Sequence, residues 1–118
     1  MNLIHWLFGR FSDRARALSS YRQGMAKAKR HDHEGAIEAY TATIGMEATP
    51  ADVKAMALYN RALVYVALGD DGKGADDLDA VLAMNAAMVN VNIKTMARQK
   101  LARMESKTAK SHAKDGAK

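Results

Sequence analysis

Residues 55–86, AMALYNRALVYVALGDDGKGADDLDAVLAMNA, restrict the fold of this chain more than any other stretch. Tyr59, Ala62, Leu63 and Val66 recur at helical spacing, and Gly69-Asp70-Asp71-Gly72 then interrupts the pattern. A second apolar series follows at Gly74, Ala75, Leu78, Val81 and Leu82. Two amphipathic series separated by a Gly/Asp break predict a helical hairpin. Ala62 and Gly74 put a small residue near the middle of each arm, which lets the two helices approach closely. Composition points the same way: apolar residues make up 48% of the chain but aromatics only 6%. A mixture leaning on Ala, Leu and Met favours helix over sheet.

The preceding segment has a similar layout. Ser12-Asp13 offers an N-cap for a helix over residues 14–30, and His31-Asp32-His33 interrupts it. A second helix fits residues 34–46, with Ala36, Ile37, Tyr40 and Ile44 on its buried side. Ala36 stands 12 residues after Gly24, as Gly74 stands 12 after Ala62, and the two units are offset by 38 residues. The spacing predicts two crossing contacts, Gly24 against Ala36 and Ala62 against Gly74. Neither hairpin buries enough apolar surface alone, so stacking them is what makes a core. Thr49-Pro50 suits the start of the second unit. Residues 87–105 predict one more helix, and residues 106–118, SKTAKSHAKDGAK, have almost nothing to bury and predict a frayed, flexible basic tail.

These residues resemble the tetratricopeptide repeat (TPR). The family's small residue and the aromatic three positions on fall on Ala62 and Tyr65, and its turn glycine and aspartate on Gly69 and Asp70. Its second small residue falls on Gly74, its large residue on Leu78, and its late apolar pair on Val81-Leu82. In the first unit Lys27 replaces the aromatic, His31 the turn glycine and Thr43 an alanine, while Ala86 replaces the closing proline of the second. The resemblance implies an all-α, right-handed helical-hairpin repeat stack: two TPR-like repeats plus a C-terminal capping helix. The implied division is an amphipathic segment over residues 1–11, a helical domain over 14–105 and the tail over 106–118.

The resemblance also implies a site. In this family the first helix of each pair lines a concave groove that receives peptides or helices. The matching positions are Leu18, Tyr21, Arg22 and Met25 in the first unit, and Met56, Tyr59, Asn60, Leu63 and Val66 in the second. Met88, Val91 and Asn92 would come from the last helix. Such a lining suits an apolar peptide or helix. Some members grip a C-terminal carboxylate with lysine, asparagine and arginine. Of that set only Asn60 stands here, with Tyr21, Met25, Met88 and Asn92 in the other places, which argues against that mode.

The formal charge of +5 divides unevenly. Residues 1–30 carry seven Lys/Arg and one Asp, residues 31–93 three basic and ten acidic groups, and residues 94–118 eight basic and two acidic. Basic ends around an acidic middle can pair within the molecule or attract an anionic partner. Residues 1–11, which open on Met1 and close on Phe11, hold both phenylalanines and the single tryptophan, Trp6. Leu3, Ile4, Leu7, Phe8 and Phe11 share one side of a helix. Three uses stay open for this segment: packing on its own domain, meeting a partner chain as in a homo-oligomer, or peripheral membrane contact with nearby arginines at the headgroups. Self-docking is the expected use. The order of charge and apolar residues does not fit a secretory signal.

Chemistry is thinly represented. There is no cysteine, which removes disulfides and a thiolate nucleophile. His31 and His33 share a turn with Asp32 and Glu34 but lack further ligands for a metal. Asp70, Asp71, Asp76, Asp77 and Asp79 lack the spacing of a calcium loop and read as a solvated helix start. Gly72-Lys73-Gly74 is not a phosphate loop. The basic ends lack interleaved aromatics, which argues against nucleic acid. The expectation is a cytoplasmic, non-enzymatic protein–protein interaction module or adaptor without cofactor, binding a protein or peptide in the concave groove. The alternative is an oligomeric scaffold or assembly component that docks through its N-terminal helix.

Overall fold

The structure, a computed structural model, describes residues 3–116, and side-chain surroundings within it for residues 3–5, 9 and 11–114. Trp6, Leu7 and Phe8, which the sequence places in the apolar first segment, lie outside those described side chains. Five helices follow one another: α1 (Leu3–Lys29), α2 (His33–Gly45), α3 (Ala51–Ala67), α4 (Asp71–Ala83) and α5 (Val91–Gly116).

The two hairpin turns are built alike, 38 residues apart. Asp32 N–H donates to Lys27 O at 2.9 Å, and Asp70 N–H donates to Tyr65 O at 2.9 Å. Each aspartate then caps the next helix: Asp32 Oδ1 accepts from Gly35 N–H at 3.0 Å, and Asp70 Oδ1 from Lys73 N–H at 3.1 Å. Both turns require a left-handed residue just before the cap, supplied by Gly69 at φ 85° and by His31 at φ 61°. A histidine adopts that conformation at a cost of about 1 kcal/mol that glycine avoids. The unfavourable residue is held there by the hydrogen bonds on either side of it.

Packing joins the helices into a two-layer stack. Helix α2 packs against α1 and α3, α4 packs against α3 and α5, and α3 also touches α1 and α5. One core cluster gathers Ala55, Leu58, Tyr59 and Ala62 of α3 with Leu78 and Val81 of α4 and Ile93 and Ala97 of α5. A second joins Ala36 and Tyr40 of α2 to Ala57 and Val64 of α3. At the second crossing, a Cβ on Gly74 would stand 3.2 Å from Ala62 O and 2.7 Å from Val66 Cγ2, so Ala62 and Gly74 meet as expected. The first crossing differs. The atoms nearest a Cβ on Gly24 belong to the Tyr40 ring, at 2.5 and 2.6 Å, rather than to Ala36. The missing side chain makes room for a phenol ring, not for a second backbone.

Two polar contacts fasten the layers. Arg61 grips Asp77 with both prongs, Nε to Oδ2 at 2.8 Å and Nη2 to Oδ1 at 2.7 Å, and reaches Thr41 with Nη1 at 3.0 Å. One guanidinium thereby ties α2, α3 and α4 together. Lys94 is buried on α5, and its Nζ donates to the carbonyls of Leu82 at 3.1 Å and Met84. Those carbonyls end α4, so the ammonium also meets the negative end of that helix.

Three boundaries depart from expectation. Helix α1 runs unbroken through Ser12-Asp13, where the sequence offers a cap, and both residues are exposed on it. Helix α5 begins at Val91 rather than near residue 87, because the Asn85 and Asn90 side chains accept from Ala87 N–H and Asn92 N–H and hold the link in local turns. Helix α5 also continues through the stretch expected to fray, to Gly116. Its Ala, Lys and Arg residues favour helix without burial. At 27 and 26 residues, α1 and α5 are twice the length of α2 and α4, so each projects past its shorter neighbour. The molecule is accordingly 71 Å long and only 18 Å thick.

Candidate functional site

Helices α1, α3 and α5 form one layer, and its face away from α2 and α4 is the candidate site. On α1, Leu18 and Tyr21 are half-buried while Arg22 and Met25 are exposed. On α3, Met56, Asn60 and Leu63 are half-buried. Asn60 Nδ2 donates to Tyr21 Oη at 3.1 Å and joins α1 to α3. The Tyr21 ring lies 6.1 Å from that of Tyr40, in a tilted arrangement. Burial pushes the Tyr21 hydroxyl above its usual pKa, and the Asn60 bond offsets part of that rise. The phenol is therefore neutral at any physiological pH and can bond a ligand only through what Asn60 leaves free.

The remaining expected residues are placed differently. Tyr59 is 8% exposed and belongs to the core shared with Ile93 and Val89. Val66 is half-buried and directs Cγ2 toward Gly74 of α4. Met88 lies in the link before α5, not on a helix, and is well exposed. Val91 and Asn92 open α5, and both are exposed. Of these residues, Tyr21 and Asn60 meet through their hydrogen bond, whereas Met56 and Leu63 pack against the α3–α4–α5 core cluster.

Sequence reasoning missed a polar cluster on the opposite side of α3. By its neighbours Asp77 reads as one of several solvated carboxylates, yet it is 6% exposed and holds Arg61. Arg61 also lies 5.7 Å from the Tyr65 ring centre, and Lys73 Nζ lies 5.6 Å from the same ring. The hydrogen bonds that Arg61 donates to Asp77 chiefly raise its pKa, burial opposes the rise, and the Asp77 charge adds to it. A signal was available: Asp77 falls between Gly74 and Val81 on the buried register of α4, and Arg61 lies opposite in the sequence of α3.

Two clefts open elsewhere among the described residues. A small one of about 150 Å³ is lined by Asp13 and Arg16 of α1 and by residues 46–48. A larger one of about 580 Å³ lies between the first half of α4 and the second half of α5. Among the described residues, no three His, Asp or Glu side chains stand close enough to hold a metal ion. The His31 and His33 rings are 6.1 Å apart, and His33 Nδ1 is buried without a hydrogen-bond partner. No described helix is long and apolar enough to cross a membrane.

The fold defines an all-α protein of stacked helix-turn-helix units, a helical-repeat architecture in the general sense. No family model, curated protein or solved structure matches the chain.

Proposed function

We propose that the chain is a non-enzymatic, TPR-like protein-interaction module that receives an apolar peptide or amphipathic helix on the α1–α3–α5 face. The observation that carries this reading is the mainly apolar set Leu18, Tyr21, Met25, Met56 and Leu63, all at least partly exposed, with its two helices joined by the Tyr21–Asn60 hydrogen bond. A surface already braced loses little freedom on binding, and Met25 and Met56 are side chains that adapt to varied apolar partners. Arg22 and the free valences of Asn60 would set the direction of the ligand. The two matching hairpin turns favour the repeat assignment itself, since both the Asp cap and the left-handed residue recur after 38 positions.

Selection of helical peptides from a displayed library, followed by calorimetry, tests the proposal. Met25→Glu and Leu63→Glu should each weaken a selected peptide about tenfold or more by placing a charge in the apolar contact. Ala42→Glu, at an exposed position of α2 in the other layer, is the matched control and should leave affinity unchanged. Equal affinity for all variants would remove the face from the binding site.

A second reading, an assembly component docking through its N-terminal helix, has its own support. The first turns of α1 project beyond the stack, with Leu3 70% and Phe11 77% exposed. Among the described residues helix α1 touches only α2 and α3, and its continuity keeps the segment from folding back over the candidate face. Self-docking, the expected use of this segment, has no such support.

A further inference from the structure

We propose that the projecting N-terminal arm of α1 docks in the α4–α5 cleft of a second copy, so that the chain associates head to tail. The inference rests on the assembly reading and adds the receiving surface. It is independent of the α1–α3–α5 face.

The cleft arises from a difference between the two hairpins. In the first, Ile37 of α2 is half-buried and packs against the cluster containing Val64 of α3. The residue 38 positions on is Ala75, which lines the open cleft instead. Leu101 and Met104 of α5 complete an apolar floor, and both are half-buried. Asp71, Asp79 and Glu105 stand around it, and among the described residues no Lys or Arg lines the cleft. His112 closes the far end. An occupant must therefore be apolar on one side and basic at its margin.

The chain carries such an element itself. On α1, Leu3 and Phe11 expose most of their surface, and residues 11–16 are all exposed, Arg14 and Arg16 among them. Arg10 adds a further positive charge in the sequence. The only described acid on this arm is Asp13, 4.0 Å from Arg16. Length agrees as well: from Leu101 to His112 the wall of the cleft rises about 17 Å, the same as α1 from Leu3 to Arg14, at the helical rise per residue. Docking in the same molecule is closed off. Among the described residues helix α1 makes no contact with α4 or α5, and its arm leaves the stack beside the end of α2, whereas the cleft opens beside the start of α4. With successive helices antiparallel, these are opposite ends. Different surfaces then meet, and the contact propagates into a ring or a filament unless one end is blocked.

Sedimentation of the full chain over a concentration series tests this, with the Trp6 emission as a second reading. The wild type should self-associate, more weakly at high salt, because exposed charge pairs are screened. Phe11→Asp blocks the arm, and Asp79→Lys with Glu105→Lys blocks the cleft; thermal melts establish that both variants fold. Each alone should associate at least tenfold more weakly than the wild type. Mixed together, they should form a heterodimer that grows no further, since one supplies the intact cleft and the other the intact arm. If the cleft variant associates as tightly as the wild type while Phe11→Asp does not, the arm docks elsewhere: the cleft assignment falls and the assembly reading stands. A wild type that stays monomeric to millimolar concentration overturns both. A monomer whose Phe11 is needed to bind phosphatidylserine vesicles assigns the arm to lipid and also overturns the proposal.

Discussion

Gly24→Ala offers the sharpest test of how the first hairpin is packed. In the interior of a helix, replacing glycine by alanine normally gains about 1 kcal/mol, because the unfolded chain gives up less freedom. Here the new Cβ would lie 2.5 Å from Tyr40 Cε1 and 2.6 Å from Cδ1. Carbon atoms settle at about 3.5–4.0 Å, so the ring must retreat by roughly 1 Å. It has nowhere to go: Tyr40 is 1% exposed and abuts Tyr21. Overpacking a rigid site costs about 1–3 kcal/mol, and two close contacts on a buried ring place this case in the upper half. The net expectation is a loss of about 1–2 kcal/mol, or roughly 4–8 °C in Tm for a chain of this length. Gly45→Ala, where nothing lies within 4 Å, should be neutral or stabilising in the same urea melts. Tyr40→Phe keeps both offending carbons and should give no relief. Tyr40→Leu removes the ring, so combining it with Gly24→Ala should reveal a coupling of about 1 kcal/mol or more. A Gly24→Ala protein as stable as Gly45→Ala would refute the argument.

Three further outcomes follow from the structure. His31→Gly should raise stability by up to about 1 kcal/mol in urea melts, because it relieves a left-handed residue that Gly69 already relieves in the second turn. Asp77→Asn should cost about 2–3 kcal/mol by leaving a largely buried guanidinium short of its counter-charge, against about 0.5 kcal/mol or less for Asp79→Asn on the exposed side. Burial and the neighbouring Tyr21 push the Tyr40 hydroxyl up to about 12, from an ordinary value of 10.0. The unfolded chain therefore loses this proton first, so stability is complete below pH 10 and falls by roughly 2 kcal/mol on the way to pH 12. Melts across that window should show the fall, and Tyr40→Phe should remove most of it.

What the sequence made legible was mostly local chemistry. Asp32 and Asp70 announce their helices by type and position, and the 38-residue echo between His31-Asp32 and Gly69-Asp70 exposes the repeated hairpin. The lengths of α1 and α5 were hidden because burial is a poor criterion for helix at either end. A cap such as Ser12-Asp13 stabilises a helix start by only about 1 kcal/mol, and starting there would forfeit several backbone hydrogen bonds already made by residues 3–11. Without a packing partner to reward the break, continuation wins. The partner of Gly24 was hidden for a different reason. Spacing reports that a small residue is needed, but not whether a backbone or a ring fills the space, and Tyr40 lies one turn from Ala36 on the same face of α2. The candidate face shows the same limit. Helical period alone cannot separate Tyr59 from Asn60, adjacent residues of which one faces α5 and the other Tyr21. That single step of about 100° around the helix decides the role of each residue. Truncating Tyr59 removes core, whereas truncating Asn60 releases the Tyr21 hydroxyl on the surface where a ligand would lie.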